Sequence, residues 1–271
     1  MGDTVTLSLT DLLAEPTSGR RRAVVLDSHD YAQTVFLQGK PVPWQEPMAY
    51  ANFFGQVQGV LGSDLALLSL DRFYAERVAA DPTLQAAMGA KSRTGFALRT
   101  LLGDREVAAS VVELATVFSQ TQRVPVVLQI PSPMQWLART HPFSGSNDVS
   151  ELDADNAENA SMYVADWLRG FAALPLIAVL LDDRGPVLGA ESVPLSTYSP
   201  IANVTDHYRW ALGRRHDDRV ELHGSALRGA VIGAGFWSTG TESLPDGDFL
   251  VGEVPHQAVP EQVLSRIAGL I

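Results

Sequence analysis

Short apolar runs, each ending in polar residues, alternate along most of the chain with longer segments of helical period. The clearest run is LIAVLLDD (176–183), six apolar residues followed by two carboxylates. A run this short and without alternation predicts a strand buried on both faces, as in a parallel sheet. Similar runs are AVVL (23–26), followed by Asp27, Ser28, His29 and Asp30; LALLSL (65–70), opened by Asp64; VPVVLQI (124–130); VELHG (220–224); AVIGAGFW (230–237); and FLVGEV (249–254).

Between the runs the period changes. A helix is predicted over 47–61, ending at Gly62, and 71–103 reads as helical in parts, with Asp81-Pro82 as a start signal. Asp104 can cap a helix that places Val107, Val111, Leu114 and Phe118 on one face. A long helix is predicted over 150–173, with Val164, Trp167, Leu168 and Phe171 as its apolar stripe. Ser199-Pro200 starts another, running to about 212, and Pro260 opens a last one with Val263, Leu264 and Ile267 facing inward. Residues 39–47, 141–150 and 184–198 read as loops, the second as a polar lid.

Strand followed by helix implies right-handed crossovers and a parallel sheet. Seven core strands are expected, and an eighth is either residues 4–9 or absent. The expected fold class is therefore α/β, a (β/α)8-type barrel with a modified or missing strand, with residues 1–271 as a single barrel domain. No shift in composition marks a boundary, and no internal repeat is visible.

Composition narrows the partners. With 31 acids against 20 bases the net charge is −11, which argues against nucleic acid and against an anionic membrane surface. The chain has no cysteine, so thiolate catalysis, disulfides and cysteine-ligated zinc are excluded. The opening MGDTVTLSLTDLLAEP has no basic region, and so does not read as a signal peptide. No apolar run approaches the roughly 20 residues of a membrane span. A cytoplasmic protein acting on a small molecule is expected, with a homodimer left open.

In a parallel barrel the carboxyl ends of the strands converge on one rim. The candidates there are Asp27 and His29 after the first strand, Gln129 at the end of the third, and Asp182 and Asp183 after the fourth. Later strands add His223 and Ser225, Trp237, and finally Glu253 and His256. Any one of these also fits a helix cap or a solvated loop. Asp182, His223 and His256, on three separate strand ends, make the expected catalytic set. Asp27, His29, Gln129, Ser225, Trp237 and Glu253 are expected to line the substrate site. Side chains alternate along a strand, so only one of Asp182 and Asp183 should point into the barrel. His141, His207 and His216 read as surface or loop histidines. There is no G-x-S-x-G, no P-loop and no H-E-x-x-H. The glycines of Gly233-Ala234-Gly235 do not make a dinucleotide fingerprint, and they read as clearance for a bulky neighbour or ligand.

The order of these landmarks resembles a family. VPVVLQIPSPMQWLART, DNAENASMYVADWLRGFAALPLIAVLLDD, VELHGS and FLVGEVPHQAVPEQVLSRI resemble successive strands and helices of the cobalamin-independent methionine synthase barrel, whose superfamily also includes uroporphyrinogen decarboxylase. The resemblance covers roughly residues 120–271. It implies a substrate cup in which Asp182-Asp183 takes the place of the family's Asp-Glu and His256 lies near its strand-end histidine. The departures are specific. Where that family has His-x-Cys, this chain has His223-Gly224-Ser225, and Gly235-Phe236-Trp237 stands where its zinc-ligand Glu would follow. Zinc-activated thiol methylation is therefore not expected, and neither a metal nor a cofactor is.

The leading expectation is a metal-free acid/base lyase or decarboxylase for a small polar, carboxylated molecule. Asp182 would orient the substrate or take a proton, with His223 and His256 as general acid and base. The alternatives are a His/Asp hydrolase, with or without a metal, and a barrel that binds a ligand without turnover.

Overall fold

Apolar runs and helical periods fold here into one ring of strands wrapped by helices. The protein is described from a computed structural model, which covers residues 8–185, 193–238 and 242–270. Helix α1 (Leu9–Ala14) leads to β1 (Val24–Asp27), α2 (His29–Val35), α3 (Pro47–Leu61) and β2 (Ala66–Ser69). Then come α4 (Asp71–Ala80), α5 (Pro82–Met88), α6 (Phe96–Gly103), α7 (Arg105–Thr121) and β3 (Val126–Pro131). Helices α8 (Pro133–Thr140) and α9 (Ala154–Leu168) precede β4 (Leu176–Asp182), and α10 (Ser199–Tyr208) precedes β5 (Ala211–Arg215). The chain closes with β6 (Arg219–Leu222), β7 (Arg228–Ile232), α11 (Ala234–Ser238), β8 (Phe249–Glu253) and α12 (Pro260–Ala268).

The strands form one eight-stranded sheet in the order β1-β8-β7-β6-β5-β4-β3-β2. All neighbours are parallel except β6, which is antiparallel to both β5 and β7. Strands β1 and β2 meet through one bridge, Val25 to Leu65. Side chains complete that seam at its lower end. Asp64 Oδ2 accepts from the Val24 amide at 2.8 Å and Ser63 Oγ from the Leu26 amide at 3.0 Å. The result is a nearly closed, TIM-like α/β barrel with a mixed sheet.

The helices form for the reasons the pattern suggests. Asp104 caps α7 by accepting from the Val107 amide at 2.9 Å, and Val107, Val111, Leu114 and Phe118 are all buried. Asp81 caps α5 through the Thr83 and Leu84 amides. Gly62 ends α3 in the left-handed region at φ 61°, where a side chain would be strained.

Two apolar layers result. Alternate strand residues such as Val24, Leu26, Leu68, Leu128, Val179 and Leu250 pack outward against the helices. Their neighbours Val25, Val127, Ala178, Leu180, Phe249 and Val251 pack inward on one another and on Leu9, Leu12 and Leu13 of α1. Helix α1 thus plugs the amino-terminal end of the barrel, leaving a void of only about 30 Å³. Gly213 is small for this reason: a Cβ there would come to 3.1 Å from both Leu180 and Leu222.

Four expectations are corrected. Residues 4–9 do not supply the eighth strand in the described part of the chain: Ser8 and Asp11 form a capping box that starts α1 at Leu9, and residues 4–7 lie outside the described residues. The helix expected to reach 212 ends at Tyr208, and β5 follows, so the eighth strand is Ala211–Arg215. The run at 230–237 is a strand only to Ile232 and then turns into α11. Leu264 is 46% exposed, whereas Val263 and Ile267 of the same helix face inward. Part of the 184–198 loop, residues 186–192, lies outside the described residues.

Candidate functional site

The alternation that fills the barrel with apolar side chains reaches its last inward position at the carboxyl ends of the strands, and there the residues become polar. Asp27 of β1, Ser69 of β2, Gln129 of β3, Asp182 of β4, Arg215 of β5 and Glu253 of β8 share this layer. Asp27, Ser69, Gln129 and Arg215 are buried.

Arg215 is the centre of the layer and is fully buried, at 0% exposure. Its Nη1 donates to Asp27 Oδ2 at 3.2 Å and to Gln129 Oε1 at 3.4 Å. Its Nη2 lies 3.6 Å from Glu253 Oε2, and neither Nε nor Nη2 has a hydrogen-bond partner among the described residues. Gln129 Nε2 donates to Ser69 Oγ at 3.1 Å and to Asp182 Oδ2 at 3.4 Å, tying neighbouring strand ends together.

A second guanidinium closes the layer from above. Arg184 grips Asp182 with both Nε and Nη2, at 2.9 and 2.8 Å, and its Nη1 donates to Glu253 Oε2 at 2.5 Å. Glu253 is the most open member, its side chain 42% exposed.

The charges tune one another. Burial is the largest influence on Asp27 and pushes its pKa up, yet the guanidiniums of Arg215, Arg72 and Arg184 together outweigh it and leave the carboxyl below its ordinary range. Burial lowers the pKa of Arg215 in spite of its carboxylate neighbours. Burial, the largest influence, acts in the same sense on Arg184, but Asp182 and Glu253 together outweigh it and raise its pKa.

His29 borders this layer. It is buried, stacked on Trp44 with ring centres 5.2 Å apart, and its Nδ1 is 3.5 Å from Asp30 Oδ1. Arg72 holds Asp30 with two bonds of 2.8 and 2.7 Å. The His29 ring, 3.5 Å away, is the largest influence on the Asp30 carboxyl and, with Arg72 and against burial, pulls it far below its ordinary range. His29 and Asp27 also line a cavity of about 20 Å³ in the β1–β2 seam, space for a single water.

Most of the remaining sequence candidates fall elsewhere. Because β6 runs against its neighbours, its carboxyl end is at the opposite end of the barrel. His223 is exposed there, with its amide bonded to the Leu212 carbonyl at the start of β5, and Ser225 follows it. The expected convergence of Asp182, His223 and His256 on one rim is thus not what the topology produces. His256 lies in an exposed turn after β8. Trp237 is fully buried outside the barrel, with its ring where a Cβ on Gly252 would fall, 2.9 Å away. Asp183 turns from the mouth: it accepts from Ser132 Oγ at 2.6 Å and faces Arg214 at 3.8 Å. Glycines 233 and 235 do give clearance, to the side chain of Glu242. His141, expected near the surface, is buried, and a short 3-10 turn opens the segment expected to be a lid.

Compared with models of known families, with curated proteins and with solved structures, the chain shows no match. The geometry therefore stands on its own. Among the described residues no three His, Asp or Glu side chains group as a metal site, and no helix is long and apolar enough to cross a membrane.

Arg215 is the residue that sequence reasoning missed, whereas Arg184 is visible in the sequence as the polar residue that follows Asp182-Asp183 at the end of the fourth run. Arg215 ends a short strand that follows a helix without a glycine between them. The helix stops at Arg209 with φ 59°, a left-handed position that glycine usually marks. A signal was present in the alternation of Ala211, Gly213 and Arg215, which share one strand face.

Proposed function

We propose that the protein is an acid/base lyase or decarboxylase acting on a small carboxylated molecule at the carboxyl-terminal rim of the barrel. The observation that supports this most is the polar layer itself: Asp27, Gln129, Asp182, Arg215 and Glu253, from five strands, in the place where barrels of this kind carry their chemistry. Apolar packing would serve stability at least as well, since buried ion pairs return little of their desolvation cost.

In this reading Gln129 and Arg215 bind the substrate, and Asp182 orients it or takes a proton. His29, beside Asp27 and stacked on Trp44, is the imidazole at the layer, and His256 is a second one in the turn above β8. His223 has no part in it. The likeness to methionine synthase and uroporphyrinogen decarboxylase barrels belongs to the same proposal, without their zinc chemistry. Engagement of Asp27 and Asp182 by guanidinium groups occupies oxygens that a metal ion would need, which weighs against a metal-activated water. The closed mouth, with Arg184 bridging Asp182 and Glu253, favours a second reading, a barrel that binds a ligand without turnover.

A panel of small 2-oxo, 2-hydroxy and dicarboxylic acids, incubated with the protein in heavy water and followed by NMR, separates the two. The expected result is loss of carbon dioxide, elimination or deuterium exchange in one acid, slowed about 100-fold in Asp182→Asn and unchanged in His223→Ala. Saturable binding with none of these changes contradicts the enzyme reading.

A further inference from the structure

Three arginines stand around the mouth, and two of them show what the third lacks. Arg184 meets Asp182 with its Nε and Nη2 edge, at 2.9 and 2.8 Å. Arg72 meets Asp30 with the same edge, at 2.8 and 2.7 Å. That edge presents two parallel N–H groups and matches the two oxygens of a carboxylate. Arg215 is the most buried of the three, and its Nε and Nη2 have no hydrogen-bond partner among the described residues. Only its Nη1 is used, on Asp27 and Gln129, so the guanidinium is anchored from one side with its fork left over.

Buried donors of this kind are costly when left unmade. The nearest carboxylate oxygen to the open edge is Glu253 Oε2, 3.6 Å from Nη2 and outside hydrogen-bonding range. The same oxygen is held at 2.5 Å by Arg184 Nη1. Glu253 is also the one carboxylate of the layer with a substantially exposed side chain, at 42%, so it can swing out to water.

We infer that the Nε and Nη2 edge of Arg215 is a binding site for one carboxylate of a small ligand, and that Glu253 is an internal placeholder which the ligand displaces. This rests on the reading of the mouth as the functional site and names the group that recognises the ligand there. Arg184 stays on Asp182 when Glu253 leaves, because its two bonds to Asp182 do not involve Glu253. Removing the charge of Glu253 therefore strengthens ligand binding, whereas removing the fork of Arg215 weakens it. A network that serves only stability gives neither result.

The test is calorimetric titration of the full chain with malonate, and separately with inorganic phosphate, in a buffer whose anions are bulky. The wild type is expected to bind malonate saturably. Glu253→Gln is expected to bind it about tenfold more tightly, the equivalent of one charge-assisted hydrogen bond regained. Arg215→Lys, which keeps the charge and loses the fork, is expected to bind it about tenfold more weakly. No saturable binding in the wild type and in Glu253→Gln overturns the inference, and so does an affinity that Glu253→Gln leaves unchanged or weakens. These outcomes need no Arg215 variant, so a failure of Arg215→Lys to fold does not shield the inference. Tighter binding of phosphate than of malonate overturns the assignment to a carboxylate. The expected malonate pattern without turnover of any acid in the panel defeats the enzyme reading alone. Turnover with no effect of Glu253→Gln on binding defeats this inference alone.

Discussion

Asp27→Asn is expected to lower the unfolding free energy by about 3–5 kcal/mol, because it leaves the wholly buried Arg215 without its closest counter-ion. The size of the effect comes from burial. At the surface such a pair would be worth about 1 kcal/mol or less, but Arg215 has no water to fall back on. Glu253 and Asp182 remain in the layer, but Glu253 lies beyond hydrogen-bonding distance of Arg215 and Asp182 is already taken by Arg184. The same substitution changes the acid limb of stability. The guanidiniums hold Asp27 below its ordinary pKa when folded, so its contribution is fully present above the unfolded value of about 4 and is lost as pH falls through the folded value. Asp30 contributes in the same direction. Denaturant melts between neutral and acid pH should show a steep loss of stability in the wild type and a shallower one in Asp27→Asn. A variant within 1 kcal/mol of wild type, with the same pH slope, would mean that Arg215 is not ion-paired as described.

The second large effect is at the seam. Asp64→Ala is expected to cost about 2–3 kcal/mol, since it strips the buried Val24 amide of its acceptor and releases Arg20 from its 3.2 Å pair. Strands β1 and β2 share a single bridge, so side chains of the preceding turn carry the closure of the barrel. The consequence is local as well as global. Amide exchange at Val24 should accelerate much more than at Val127, which lies within the intact β2–β3–β4 pairing. Equal acceleration at both sites would show that Asp64 supports the whole barrel and not this seam.

Fold class was legible because burial on both faces leaves an unmistakable trace. Runs such as 65–70, 124–130 and 176–183 are strands of the ring, and the Asp104 helix has the face that its spacing predicts. The direction of β6 was not legible. A hairpin of three residues, His216 to Asp218, reverses the chain between β5 and β6, and an apolar run carries no record of which way it points. That reversal is why His223 and Ser225 leave the rim. Arg215 was hidden by chemistry: a charged residue ending a short strand looks solvated until the carboxylates that surround it are in view. Asp27, Gln129, Asp182 and Glu253 were legible as strand-end polar residues, because inward alternation places them in one layer whatever the loops do. Trp237 was assigned to the cup as an aromatic near a strand end, but β7 stops at Ile232 and the turn into α11 carries the ring to the outer layer.

The open edge of Arg215 is the proposed meeting point of this barrel and its ligand. The most direct measurement is the ¹⁵N-arginine NMR spectrum of the wild type during addition of malonate, with the Arg215 Nε–H resonance assigned through Arg215→Lys. This resonance is expected to move downfield and saturate as a carboxylate fills the fork, while the Nε–H resonances of Arg184 and Arg72, already bonded to Asp182 and Asp30, stay in place. A spectrum in which Arg215 does not respond and only exposed arginines do would contradict it.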